Sequence, residues 1–141
     1  MTKPLVTFAA PDKAARDYLR PLLVARPEAY APNTVTAGFP VALTTGTHLQ
    51  VELEGSNTDD YPVTERDQVR FTLWAPKGRP SDALDAASLV MAYVYAMSVP
   101  NVVAGAKVTL GRSDVTADPD TGYEMCWFLA RLNMLATPLA S

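Results

Sequence analysis

Two stretches in which polar and apolar residues alternate constrain the fold of this chain most strongly. They cover residues 48–54 and 69–74, and a polar segment rich in Gly, Ser, Asn and Asp separates them. Alternation with a period of two is typical of a strand that buries one face, and the polar segment favours a turn. The chain therefore contains a sheet with one side against a core. The residues expected to point inward are Leu49, Val51, Leu53, Val69, Phe71 and Leu73.

Apolar residues at helical spacing predict two helices. The first starts at Pro11 and Asp12, because proline suits the first helical position and an acid suits the positive end of the helix dipole. Pro21 lies inside this pattern and predicts a kink. The second helix follows Ser81, the expected N-cap, and runs to about residue 97. The residues expected to face the sheet from it are Leu84, Ala87, Val90, Met91, Val94 and Tyr95.

Three further strands are expected at residues 34–39, 107–110 and 123–135, with a proline-rich linker at 25–33. The order is α-β-β-β-α-β-β. It predicts an α+β fold with one mixed, mostly antiparallel sheet of about five strands and two helices on one face. A chain of 141 residues is close to the commonest domain size, so residues 1–141 are expected to form one domain.

The face of the sheet away from the helices is expected to stay partly open. It carries Trp74, Tyr123 and Trp127 in this register. An exposed aromatic face on a small domain indicates a surface for a partner. The alternative is that a loop of the same chain covers these side chains, since exposed apolar residues are common on any protein.

Composition and charge exclude several classes of protein. Twelve basic and fifteen acidic residues give a net charge of −3, so no basic patch is expected to dominate and phosphate-backbone binding is not the leading expectation. The single cysteine, Cys126, cannot form a disulfide within the chain or a cysteine-ligated zinc site. No apolar run is long enough for a membrane span, and residues 1–13 lack the pattern of a signal peptide. We expect an intracellular protein at synthesis that does not bind membranes.

Candidate catalytic groups are few. His48 is the only histidine and lies in register with Glu52, which could make an acid–base pair. No nucleophile accompanies them, so a solvated strand residue is the favoured interpretation of His48. Cys126, between Met125 and Trp127, is expected to be a buried and unreactive thiol. The chain has no phosphate-binding loop of the GxxxxGK or GxGxxG type. No catalytic residue and no cofactor are expected.

The segment 118–123, DPDTGY, has two possible interpretations. Asp118 and Asp120 resemble the opening of a calcium-binding loop, but that loop needs glycine at its sixth position and a glutamate at its end. Here Gly122 is at the fifth position and Glu124 comes too early. A turn explains each residue type instead, because Asp caps turns, Pro119 presets φ and glycine allows positive φ. We expect no metal there, and a hairpin between strands 107–111 and 123–135.

Three stretches, in this order, resemble the tail terminator proteins of long-tailed (siphovirus-type) bacteriophages, most closely those of phages that infect actinobacteria. The first is PDKAARDYLRPLL with the strand at 34–39. The second is HLQVELEG, a loop, and RDQVRFTLWAPKG leading into SDALDAASLVMAYVYAM. The third is TLGRSDVTADPDTGYEMCWFLARLNM. Such terminators often place a PDPDTG-like turn before a long closing strand. The chain departs from the pattern at 57–60, which replaces a glycine-rich segment, and at 125–127, which is more apolar.

The resemblance implies a structural virion protein with no enzymatic activity and no cofactor. Terminators form a homohexameric ring that caps the tail tube, ends polymerisation of the tube protein and joins the tail to the head–tail connector, or stopper, protein. DNA passes through the lumen of the ring without specific binding. The protein is then found at the tail–neck junction of the virion, after assembly in the host cytoplasm. Candidate partner-interface residues are Asp59, Asp60, Trp74, Asp118, Asp120 and Tyr123, with Asp59 and Asp60 expected to face the lumen.

Three other functions fit the same residues. Another neck component, a head-completion or stopper protein, would act at the same place in the virion but contact the portal side. A small hydrolase or metal-dependent enzyme would use His48, Glu52 and nearby aspartates. A bacterial ligand-binding α+β domain would have no phage role.

Overall fold

A layer of two helices on a mixed sheet makes up the body of the protein in a computed structural model, which describes residues 3, 5–40, 42–43 and 45–139. The helices are α1 (Pro11–Val24) and α2 (Pro80–Tyr95). The strands of the described residues are β1 (Val6–Thr7), β2 (Pro32–Thr36), β3 (Thr47–Asn57), β4 (Thr64–Ala75), β5 (Val103–Leu110), β6 (Thr116–Ala117), β7 (Glu124–Leu135) and β8 (Thr137–Pro138).

The main sheet has the strand order β2-β3-β4-β7-β5, and the short β6 also pairs with β7. Strand β2 runs parallel to β3, whereas every other neighbouring pair is antiparallel. Strands β1 and β8 form a separate antiparallel pair. The predicted α+β class, with a mixed and mostly antiparallel sheet and two helices, is therefore confirmed.

The core lies between the helices and one face of the three long central strands. Helix α1 packs on β2 and β3, and α2 packs on β4, β5 and β7. The rings of Phe71 and Phe128 face each other across β4 and β7 and stack with centroids 4.9 Å apart. Alternate residues along β4 and β7 are fully buried on this side. This regular burial holds the opposite face of the same strands in a fixed register.

Helix α1 continues past Pro21 to Val24, as the prediction of a kink instead of an end requires. Helix α2 differs in detail from the prediction. Helix α2 has Arg79 as its N-cap and Pro80 at the first helical position, so Ser81 was wrongly predicted as the cap. Tyr95 was expected to face the sheet but is 78% exposed. The buried face of α2 consists of small residues that let the helix approach the sheet closely: Ala83, Ala86, Ala87, Val90 and Val94.

The strands also differ from the prediction in three places. Leu53 lies opposite Val69 on the helix side, as expected, but its side chain is 45% exposed, and a bulge follows it between Leu53 and Gly55. Strand β2 starts at Pro32, within the expected linker. The hairpin at DPDTGY joins β6 to β7, and β5 pairs with β7 further along. No helix among the described residues is long and apolar enough to cross a membrane.

Candidate functional site

Three aromatic side chains meet at the end of the sheet where β4 finishes. The ring of Phe39, in the loop after β2, lies edge-on to Trp74 at 4.7 Å and stacks against Tyr123 at 6.0 Å between centroids. The Tyr123 hydroxyl accepts a hydrogen bond of 3.0 Å from the backbone N–H of Leu43, and the Trp74 indole donates one of 3.0 Å to Gln50. We call Phe39, Trp74 and Tyr123 the aromatic end. Its contacts tie the loop after β2 to the sheet.

Trp74 lies on the open face as predicted, but the expectation that its side chain is exposed there is wrong. Its side chain is only 7% exposed because Phe39 covers it, so the alternative of a covering loop holds at this end. Tyr123 is half-buried under the same loop. Phe39 itself is 45% exposed, which makes it the accessible aromatic residue of the three. Its role was missed because the sequence places it far from both partners.

His48 is buried rather than solvated. Its ring nitrogens lie 2.6 Å from the Thr34 hydroxyl, 3.2 Å from the Thr36 hydroxyl and 2.9 Å from the Gly38 carbonyl oxygen. Burial lowers the pKa of His48, and the Gly38 carbonyl opposes that shift. Both nitrogens hold β2 and the following loop in place. Cys126 is buried as expected, and burial raises the pKa of its thiol.

The DPDTGY segment is a turn, as its residue types predict. The Asp118 carboxylate accepts hydrogen bonds from the Thr121 N–H at 2.9 Å and the Thr121 hydroxyl at 2.8 Å. These bonds lower the pKa of Asp118. Gly122 has a φ of 75°, and its N–H donates to the Asp118 carbonyl at 2.8 Å. Asp118 thus holds the turn together, whereas Asp120 is exposed and available for contact with another molecule.

The loop between β3 and β4 carries the other two candidate aspartates. We call residues 58–63 the hairpin tip. Asp59 and Asp60 are exposed, and Asp60 pairs with Arg66 at 3.1 Å. Tyr61 and Val63 in the same loop are 55% and 72% exposed. The tip therefore combines acidic and apolar groups that the chain itself leaves uncovered.

The candidate residues form two groups at opposite ends of the sheet. Strand β4 links them, because Asp60 precedes its start and Trp74 lies next to its end. From its first to its last of 12 residues there are 11 steps of about 3.3 Å, which separate the ends by roughly 36 Å. Asp59 and Asp60 therefore cannot act together with Asp118, Asp120, Trp74 and Tyr123. The candidate residues therefore form two separate groups instead of one site.

A buried carboxyl pair lies at the base of the hairpin. Asp67 is fully buried on the helix side of β4, and neither carboxylate oxygen has a hydrogen-bond partner among the described residues. Glu65 lies two residues away on the same strand face and is half-buried. Burial, followed by the nearby Asp67 carboxylate, raises the pKa of Glu65 to about 7. A proton on Glu65 supplies the donor that two ionised carboxylates lack.

The open face of the sheet is basic, which the net charge did not reveal. Four basic residues lie on it: Arg66 and Arg70 of β4, Arg131 of β7 and Lys107 of β5. The first three alternate with the buried residues of their strands, and Lys107 lies opposite Arg131. The Arg70 guanidinium lies 4.3 Å from the ring centroid of Trp127, which is half-buried. The alternation along β4 and β7 could have predicted this charge pattern.

On the helix side, a shallow apolar groove of about 360 Å³ runs between α1 and the turn that follows α2. Ala10, Ala14, Tyr18, Val99 and Val102 line it. The groove adds a third surface with exposed apolar atoms.

No group of three or more His, Cys, Asp or Glu side chains that could hold a metal ion occurs in the described part of the chain. No protein-family model matches the chain, and no curated protein matches it significantly.

Proposed function

We propose that this protein is a phage tail terminator. Six copies form a ring that caps the tail tube, stops polymerisation of the tube protein and presents a surface to the head–tail connector. The observation that carries the proposal is the arrangement of two exposed surfaces, the hairpin tip and the turn at 118–123, at opposite ends of one small α+β sheet. A subunit of a ring through which DNA passes needs separate surfaces for the lumen and for its neighbours.

The order of elements supports the same role. The resemblance to terminators rests on a first helix, a strand pair, a second helix and a long closing strand after a DPDTG turn. These correspond to α1, to β3 with β4, to α2 and to β7. In addition, a closed ring requires two different and complementary patches on each copy. The open sheet face, the helix-side groove and the two loop ends supply several candidates on each copy.

The hairpin tip is the surface that we assign to the lumen. Asp59 is exposed there, and Asp60 is only partly neutralised by Arg66. A lumen with a negative charge repels the phosphate backbone of DNA, so DNA passes without specific binding. In this role the protein needs no catalytic group and no cofactor, and it resides at the tail–neck junction of the virion.

An assay of tail-tube polymerisation in the presence of this protein tests the proposal. The purified protein is added at increasing ratios to polymerising tube protein, and tube lengths are measured by electron microscopy. We expect tubes to become shorter and to carry a ring at one end. Unchanged tube lengths with no binding to tubes would contradict the proposal. Co-purification with portal rings and not with tubes would instead assign the protein to another component of the neck.

A further inference from the structure

The open face of the sheet carries cations that the chain leaves without opposite charges. Lys107 of β5 and Arg131 of β7 are direct partners in the register of the two strands. Lys107 is exposed and Arg131 is half-buried. Like charges directly opposite each other in a sheet are destabilising. The fold therefore keeps two cations in an unfavourable position, directly opposite each other.

Other groups on this face do not neutralise that pair. Arg70 lies opposite Glu52 but places its guanidinium over Trp127, and Arg66 pairs with Asp60 at the far end. Within the part of the chain that the structure describes, no ion pair involves Arg70, Lys107 or Arg131. We call these three residues the basic face.

A matching excess of acids lies elsewhere on the chain. Residues 114–124 contain four acids, Asp114, Asp118, Asp120 and Glu124, and no Lys or Arg. Asp114 and Asp120 are exposed, whereas Asp118 is used within the turn. The methylenes of Lys77 lie beside Gly122, so one basic side chain approaches this stretch from the same copy. We call residues 114–124 the acidic segment.

We propose that the basic face of one copy binds the acidic segment of a second copy. The contact is heterologous, because each copy uses a different surface to meet each of its neighbours, and such contacts generate rings when the rotation closes. This proposal rests on the proposed function, because it identifies the contact between subunits of the ring. Charge complementarity also fixes register and discourages wrong partners.

A nucleic acid is the less favoured occupant of the basic face. The protein has a sequence pI of about 5.0, whereas a domain that binds nucleic acid is usually strongly basic. Three cations beside Glu52 also make a small patch for a phosphate backbone. A ring through which DNA must slide would in addition gain from keeping these cations within the subunit contacts.

Charge reversal on each surface tests the contact. The face-reversed variant carries Lys107→Glu and Arg131→Glu, and the segment-reversed variant carries Asp114→Lys and Asp120→Lys. A charge-matched control carries Lys13→Glu and Arg26→Glu, which lie in and just after α1, away from both the basic face and the acidic segment. Self-association is measured by sedimentation velocity at low and high salt, and circular dichroism checks that each variant is folded.

We expect each reversed variant alone to associate at least about 10-fold more weakly than the wild type, because like charges then meet at every contact. An equimolar mixture of the two should recover association, since each reversed face then meets a reversed segment. The control should associate like the wild type. Rescue in the mixture cannot arise from a variant that merely misfolds.

Three outcomes would overturn the inference. If both reversed variants associate like the wild type, the basic face is not the contact, although the ring function stands. If the wild type stays a single copy with and without tail tubes, the inference and the proposed function both fail. If only the face-reversed variant loses binding to duplex DNA, and assembly is unchanged, the basic face serves nucleic acid instead.

Discussion

At the scale of single residues, the loop after β2 depends on a few side chains that reach across the sheet. Phe39 covers Trp74, the Tyr123 hydroxyl fixes the loop backbone at Leu43, and His48 holds the Gly38 carbonyl. None of these contacts joins residues close in sequence. They explain why an aromatic residue expected at the surface is covered and why the only histidine is structural in this fold.

Removal of the Phe39 ring should expose Trp74. We expect Phe39→Ala to shift tryptophan emission to longer wavelength and to lower the free energy of unfolding by about 1–2 kcal/mol, because packing and aromatic contacts are lost. Tyr95→Ala is the matched control, since Tyr95 is aromatic but 78% exposed. Fluorescence with acrylamide quenching measures the change. An emission spectrum equal to that of the wild type would show that Phe39 does not cover the indole.

The turn at 118–123 should be sensitive at Gly122. This residue has a φ of 75°, and an added Cβ would lie 3.0 Å from the Lys77 side chain. We therefore expect Gly122→Ala to cost about 1 kcal/mol or more in stability. Gly111→Ala is the control, because Gly111 has open space around it and no positive φ. Equal unfolding midpoints in denaturant for the two variants would contradict the turn account.

At the scale of elements, we expect the base of the β3–β4 hairpin to be sensitive to pH. The pKa of Glu65 is about 7 in the folded protein, against an ordinary value of 4.5. The folded state then holds a proton that the unfolded state has lost between these values. The stabilisation from this proton is complete below about pH 4.5 and is lost as the pH rises through about 7.

Glu65→Gln should remove this pH dependence, because its amide donates to Asp67 at every pH. We expect the wild type, measured relative to Glu65→Gln, to lose about 1–2 kcal/mol of stability between pH 5 and pH 8, a value reduced for the partial exposure of Glu65. Thermal unfolding at each pH measures it. Glu54→Gln, exposed on the same hairpin, is the control.

Comparison with Glu65→Gln also removes the opposite effect of His48. Its lowered pKa means that stability falls as the pH drops below about 6.5. Both proteins share that loss, so it cancels in the difference. A difference that stays constant from pH 5 to pH 8 would contradict proton sharing by Glu65 and Asp67.

The elements with strong periodicity could be predicted from the sequence, and those that depend on distant contacts could not. Alternation predicted β3 and β4, apolar spacing predicted α1 and α2, and the long closing strand β7 was also predicted. The parallel pairing of β2 with β3 was not, because it joins segments across an irregular loop. The composition hid the basic face, because net charge does not reveal how charges divide between the two faces of a sheet.

Among the candidate interface residues, the exposure of the aspartates in the two loops was predicted correctly, and that of Trp74 was not. Asp59, Asp60 and Asp120 are exposed as an interface requires, and the turn chemistry of DPDTGY was predicted from residue types. Trp74 was misplaced because its exposure depends on Phe39, which lies 35 residues earlier. Local pattern sets which face a side chain takes, whereas tertiary contacts decide whether that face is covered.

At the scale of the whole molecule, the basic face lies between two exposed surfaces at opposite ends of the sheet. The hairpin tip lies at one end of the sheet and the acidic segment at the other, roughly 36 Å apart along β4. This separation suits a ring subunit whose hairpin tip faces the lumen and whose acidic segment meets a neighbouring subunit. The basic face would then mediate contacts between neighbouring subunits.

Electron microscopy of tails assembled with this protein tests the central claim most directly. Tails are imaged with and without the protein, and particle ends are averaged. With the protein, we expect a ring of six copies at the head-proximal end of each capped tail. Without it, we expect tubes of irregular length that lack the ring. Tails of uniform length that lack such a ring, or density for the protein at another position in the virion, would contradict it.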